Sequence, residues 1–229
     1  MQIPIWKKWL SFLVPITLER LSSPQNPKLA VVIDRGRLQL LSGNAIYSWD
    51  DLYHNFTAAF GQIDLESRPM ADVLVLGLGL GSIPYILETV YERHYHYTAV
   101  EWDEAVVHLA SKYTLPRLKS RMDIVVADAA YFVHVTTARF DIITVDIFED
   151  DRTPELFEGA NFLRDCRRLL RPDGVLLYNR LYNSSAHRQA TDAFFQNTFS
   201  AVFAQASTIE TSGNLVLVGY RKGPEASPP

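Results

Sequence analysis

Cysteine is nearly missing from this chain. Cys166 is the only one among 229 residues, which excludes an internal disulfide and suits a reducing cytoplasm. A large charge excess is missing too: the formal net charge is -4, which gives no electrostatic footing for general nucleic-acid binding. No apolar run approaches the roughly 18 residues needed to cross a bilayer. No cluster of metal ligands stands out. His94 and His96 alternate with tyrosines at a strand edge, without Cys or carboxylate partners at ligand spacing, so no metal is expected. The sequence has no internal repeat, and its one sequon, Asn183-Ser184-Ser185, carries no meaning in a cytoplasmic protein. What is present, 48% hydrophobic and 21% charged residues, is the make-up of a globular domain.

The first residues, MQIPIWKKWLSFLVP, combine two lysines with a short apolar stretch and show no clear cleavage site. Trp6, Trp9, Leu10 and Leu13 fall on one face of a helix. Packing on the chain's own domain or on a second subunit is the expected use of that face, in preference to membrane contact. ITLERLSS, KLAVVID and RLQLLS then read as short strands, with Asp34-Arg35-Gly36 as a tight hairpin. Asp50–Phe60 reads as a helix ended by Gly61. Residues 1–61 are thus expected to form an amphipathic segment, a small antiparallel β unit and a helix.

From about residue 71 the pattern alternates between strand and helix. Strand-like runs are Val73–Leu76, Tyr95–Val100, Met122–Val126, Phe140–Asp146 and Gly174–Tyr178, with helices between them and a last helix over Ala186–Phe199. AVFAQAST and NLVLVGYRK form a closing antiparallel hairpin. Residues 62–222 are therefore expected to be an α/β domain with a seven-stranded, mostly parallel, Rossmann-like sheet, and residues 223–229 a disordered tail.

In such a sheet, ligands bind beyond the carboxyl ends of the strands. VLVLGLGLGS places Gly77, Gly79 and Gly81 in a turn between a buried strand and a helix starting at Ser82. A backbone that bare lets a ligand lie on it, and a helix start offers free N–H groups. Glu101 follows Gly81 by twenty residues, at the end of the next strand, where a carboxylate can accept both hydroxyls of a ribose. Asp128 ends the third strand and can accept an adenine amino proton, with capping of the next helix as its simpler use. Asp146 ends the fourth, followed by Glu149, Asp150 and Asp151; Asn179 and Arg180 end the fifth. Three carboxylates on successive strand ends suit a ligand with a ribose, an exocyclic amine and a positive charge.

These strand ends resemble the spermidine synthases and their relatives, which have the class I S-adenosylmethionine (AdoMet) fold. The resemblance runs from about Ile16 to Lys222 and rests on VLVLGLGLGS, AVEWDEAVVHLASKY, IVVADAAYFV, RFDIITVDIFED and LLRPDGVLLYN. It implies that Glu101 holds the ribose, Asp128 the adenine amine, and the turn with Gly77, Gly79, Leu80 and Gly81 the aminoacyl or aminopropyl end, with Trp102 and Ala129 also against the cofactor. It implies Asp146 as the catalytic carboxylate beside the cofactor, with Glu149 and Asp150 on the acceptor. Two departures stand out. Leu80 takes the place of the family's acidic residue for the amine of decarboxylated AdoMet. Asp146-Ile147-Phe148-Glu149-Asp150 replaces Asp-Ser-Ser-Asp-Pro: the first Asp is kept, the serines and the proline are lost, and Glu149 stands in for the second Asp with a different reach.

On these residues the first expectation is an AdoMet-dependent methyltransferase acting on an unknown small acceptor. The alternatives are a polyamine aminopropyltransferase using decarboxylated AdoMet, and a non-catalytic AdoMet-fold binding protein. A nicotinamide dehydrogenase fits less well, since Ser82 stands where its third glycine would be. A small-molecule, possibly amine, acceptor and a homodimer are the expected partners, with neither nucleic acid nor a membrane span.

Overall fold

The computed structural model describes residues 3–43, 45–68, 71–149 and 152–222. The expected tail at 223–229, and Asp150 and Asp151, lie outside the described residues. Two sheets organise the chain. The first is antiparallel with the order β1-β2-β3-β4: Ile16–Leu21, Leu29–Asp34, Arg37–Ser42 and Ala45–Trp49. The strand at Ala45–Trp49 goes beyond the three expected. Arg35 and Gly36 both take positive φ, the backbone of a tight two-residue hairpin.

The second sheet has the order β10-β11-β9-β8-β5-β6-β7. Its strands are β5 (Asp72–Leu76), β6 (His96–Glu101), β7 (Arg121–Val126), β8 (Phe140–Val145), β9 (Leu170–Leu181), β10 (Gln205–Thr211) and β11 (Asn214–Tyr220). The five strands from β9 to β7 are parallel, and β11 runs antiparallel to both β9 and β10. Residues of β5 alternate between two cores. Val73 and Val75 face one with Tyr97, Ile142 and Leu177; Leu74 and Leu76 face the other with Val100, Ile143 and Tyr178. Helices cover both faces, which is why β5 reads as a continuous apolar run.

Helix α1 (Ile5–Leu10) precedes the first sheet, and α2 (His54–Phe60) follows it after a 3₁₀ turn at Asp50–Leu52. The expected Asp50–Phe60 helix is therefore broken at Tyr53. Asp50 has positive φ, and its buried carboxylate accepts Leu38 N–H and Arg117 Nη1, each at 3.0 Å. That fixes the crossing from one sheet to the other. In the larger domain lie α3 (Ser82–Thr89), α4 (Glu104–Tyr113), α5 (Ala129–Val135), α6 (Glu155–Glu158), α7 (Ala160–Leu169) and α8 (Ser185–Phe194). The last expected helix changes to a π-helical turn at Phe195–Phe199.

The N-terminal segment keeps most of its apolar side chains exposed. Ile5, Trp6, Trp9, Leu10, Phe12, Leu13 and Val14 are all exposed, Leu13 at 85%. Only Ser11 is buried: its carbonyl accepts Arg35 N–H and its hydroxyl accepts Gly36 N–H. The segment is thus tied to the hairpin turn, with Phe12 against Gly36, while Ile5, Trp6, Trp9 and Leu13 stay largely exposed.

Candidate active site

The sheet order reverses at β5, whose neighbours are β6 on one side and β8 on the other. Crevices form at such reversals because the connecting chains leave in opposite directions. A cavity of about 420 Å³ opens there, lined by the ends of β5, β6, β7 and β8 and by part of the first sheet. Gly77, Gly79, Glu101, Trp102, Asp128, Ala129, Asp146 and Glu149 all line it. The glycines answer to close approach. A Cβ on Gly77, at φ +87°, would collide with the Asp146 carbonyl, and one on Gly79, at φ +53°, would come within 3.1 Å of the Tyr47 carbonyl.

Leu80 and Gly81 are not among the lining residues. Leu80 is 1% exposed and packs with Leu29, Val31, Leu38, Leu40, Val106 and Tyr113. The Leu80 side chain thus turns into the junction and fastens the first sheet to the glycine turn. Ser82 Oγ strengthens the same junction, 2.6 Å from Ser48 Oγ and accepting Trp49 N–H at 2.9 Å.

Glu101 is held by four backbone donors. Its Oε2 accepts Leu78 and Gly79 N–H at 3.1 and 3.4 Å; its Oε1 accepts Trp102 and Asp103 N–H at 3.0 and 3.2 Å. Burial pushes this carboxyl above its ordinary range, and the four N–H groups oppose the shift. Ribose hydroxyls would share or displace these donors, the longest being that from Gly79. Asp128 caps α5, accepting Tyr131 N–H at 2.7 Å through Oδ1, and lines the cavity. Asp103 caps α4 through Ala105 N–H at 2.9 Å. Its second oxygen takes Ser23 Oγ and Asn26 Nδ2, each at 2.6 Å, which swings Gln25, Asn26 and Pro27 of the first sheet over the Glu101 end.

Asp146 lies at the other end. Its Oδ1 accepts Asn179 Nδ2 at 2.9 Å and the Tyr53 hydroxyl at 3.2 Å. Asn179 is itself oriented by Asn214 Nδ2, at 3.0 Å. Both donors go to one oxygen, so among the described residues Oδ2 has no hydrogen-bond partner. Burial pushes this carboxyl up to about 6; the Asn179 and Tyr53 hydrogen bonds resist, and the nearby Glu101 charge adds to the rise. Burial and Asp146 together keep the Tyr53 phenol protonated. Neither Tyr53 as a partner of Asp146 nor the loop Gln25–Pro27 as cavity wall is legible in the sequence, because each contact joins residues far apart in the chain.

Beyond Asp146 the wall is made by Ile147, Phe148, Glu149, Pro154, Leu156 and Phe157. Glu149 faces Arg152 at 3.4 Å, and the two exchange backbone hydrogen bonds. Helix α6 is fixed by Tyr178 Oη donating to the Phe157 carbonyl at 3.2 Å and by Arg180 Nη2, 2.5 Å from Glu158.

A nucleoside-sized crevice at the reversal of a seven-stranded sheet, with a carboxylate on each of three strand ends, is the arrangement of the class I AdoMet-type fold. Solved structures agree on the fold. A probable spermidine synthase from Corynebacterium glutamicum superposes with a TM-score of 0.65 at 20% identity, covering 88% of this chain and 76% of that one. A spermidine synthase in complex with the transition-state analogue AdoDATO gives 0.70 at 17% identity, covering 90% and 74%. Human methyltransferase-like protein 13 with SAH gives 0.60 at 22%, covering 76% and 82%. The particular family follows from the sequence match: residues 51–212 match the spermine/spermidine synthase domain, and the chain belongs to that family. It is 28% identical over 151 residues to a polyamine aminopropyltransferase of Vibrio vulnificus, covering 64% of this chain and 49% of that protein. It is 26% identical over 153 residues to one of Neisseria meningitidis, covering 66% and 56%. The chain thus spans about half the length of these relatives.

Proposed function

We propose that this protein is an aminopropyltransferase: it moves the aminopropyl group of decarboxylated AdoMet onto a primary amine in the cytoplasm. The observation that carries this reading is Asp146. A carboxyl at about 6 is ionised at neutral pH, has no ion-pair partner among the described residues, and lines the cavity together with the glycine turn. An amine arrives as an ammonium and attacks only after losing a proton. A carboxylate of this kind first attracts the ammonium and then takes that proton. Tyr53 and Asn179 hold one oxygen, leaving the other for the acceptor.

The residues fit the donor. Glu101 offers acceptors for ribose hydroxyls, Asp128 one for the adenine amine, and the glycine turn a bare bed for the chain leaving sulfur. The sulfonium of the donor supplies an activated carbon. A C–N bond forms as the C–S bond breaks, methylthioadenosine leaves neutral, and the acceptor's proton goes by way of Asp146 to solvent. The names of the relatives support the reading.

A second reading, methyl transfer from AdoMet, is favoured by one feature: the glycine turn offers no carboxylate to an aminopropyl ammonium, since Leu80 occupies that position in the sequence. The two differ in product. Incubation with decarboxylated AdoMet and putrescine should yield methylthioadenosine and a triamine, while AdoMet with the same amine should yield no S-adenosylhomocysteine. The reverse result would overturn the aminopropyl reading in favour of methyl transfer.

A further inference from the structure

The largest unexplained feature lies away from the cavity. Seven apolar side chains between Ile5 and Val14 stand in solvent, among them Trp6 at 60% and Trp9 at 74% exposure. Patches of this kind on a folded domain mark a contact surface. The segment is held in place rather than loose. Ser11 is hydrogen-bonded to the Arg35-Gly36 turn, the Phe12 ring lies against Gly36, and the helical turn continues through Leu13 N–H to the Leu10 carbonyl at 3.0 Å. By helical spacing, Ile5, Trp6, Trp9, Leu10 and Leu13 form one stripe, with Lys7 and Lys8 at its two flanks.

Charge decides between occupants. Residues 3–18 contain no carboxylate, and among the described residues Lys7, Lys8 and Arg35 have no ion-pair partner. An isologous contact with a second copy would bring equivalent lysines toward one another across the axis, with no carboxylate inside the segment to neutralise them. A layer of anionic headgroups supplies that charge all along the stripe, while tryptophan suits the boundary between headgroup and acyl chain.

We propose that Ile5–Val14 is a peripheral docking surface for an anionic lipid bilayer, on which the protein lies reversibly without spanning it. Trp6, Trp9, Leu10 and Leu13 enter the boundary layer, and Lys7, Lys8 and Arg35 sit among the headgroups. This inference is independent of which group the protein transfers.

The test is co-sedimentation of the full chain with vesicles of equal phosphatidylglycerol and phosphatidylcholine, beside vesicles of phosphatidylcholine alone. Binding to the anionic vesicles is expected to be at least about tenfold tighter, and to weaken in about 0.5 M salt. Trp6→Ala with Trp9→Ala should abolish sedimentation. Lys7→Glu with Lys8→Glu should weaken it about tenfold or more while leaving the apolar stripe intact. Trp6, Trp9 and Lys8 are exposed and Lys7 is half-buried, so methylthioadenosine binding and circular dichroism should stay as in the parent and report a folded protein. Equal or absent sedimentation with the two vesicle types overturns the proposal. So does a dimer in solution that the tryptophan variant turns into a monomer, which would assign the face to a second copy.

Discussion

The two ends of the cavity are built on different principles. At the Glu101 end every functional carboxylate is tied to backbone: Glu101 takes four N–H groups, Asp128 caps α5 and Asp103 caps α4. These carboxylates are part of the fold before any ligand arrives. At the Asp146 end the carboxylate is held only by side chains, one of them from a residue ahead of the α/β sheet, and a free oxygen remains. The first arrangement suits a part that must be preorganised for a nucleoside. The second suits a group that must exchange a proton and so must tolerate both charge states.

The sharpest test of that difference is Asp146→Asn. It should lower kcat/KM by about 10²–10⁴-fold, read from methylthioadenosine formation. In the parent, kcat/KM should fall about tenfold per pH unit below about 6, since only the ionised carboxylate accepts the proton. Stability should move the other way. A carboxyl raised in the fold from 3.8 to about 6 costs stability as pH climbs through that interval, and the cost stays in place above it. Asp146→Asn should therefore be more stable than the parent at pH 8 by up to about 2–3 kcal/mol, a gain that vanishes near pH 4. Denaturant titrations at the two pH values check it; a less stable variant at pH 8 would show that the ionised group is not strained.

Leu80→Asp tests the junction beneath the Glu101 end. If Leu80 only lined the donor site, the substitution would switch donor preference and spare the fold. Because it lies among Leu29, Leu38, Leu40 and Val106, an unpaired carboxylate there should cost more than about 3 kcal/mol and lower the Tm by roughly 6–12 °C. Differential scanning calorimetry distinguishes the two.

Glu101→Ala should weaken methylthioadenosine binding by about 2–4 kcal/mol in titration calorimetry, through lost ribose acceptors and a slackened glycine turn. Unchanged affinity would place the ribose elsewhere. The smallest effect belongs to Asp128→Asn. The amide oxygen still caps α5, so the Tm should shift by no more than about 2 °C, while adenine affinity falls several-fold because the rim loses its charge. Equal loss on both measures would mean that Asp128 serves only as a cap.

Much of this arrangement is legible along the chain. Alternating strands and helices announce the parallel sheet. The period of two in Val73–Leu76 puts successive residues on opposite faces, and a glycine turn followed by Glu101 marks adjacent strand ends. These are local signals, set by backbone sterics and side-chain spacing within a few residues. Asp103 and Asp128 as caps are legible for the same reason, since a cap acts two or three residues along the chain.

What the chain did not announce involves partners far apart in sequence. The sequence determined that Leu80 sits in a glycine turn; only the docking of the first sheet decided that its side chain goes into a junction instead of the cavity. It placed Asp146 at a strand end, while the meeting with Tyr53 and Asn179, and hence a carboxyl near 6, needed three elements to converge. It marked Trp6, Trp9, Leu10 and Leu13 as one apolar face, but whether anything covers that face depends on where the rest of the chain comes to lie. Periodicity fixes which way a side chain points relative to its own element. The neighbour it meets, and therefore its burial, charge state and role, is fixed by how elements pack, and that information is not local.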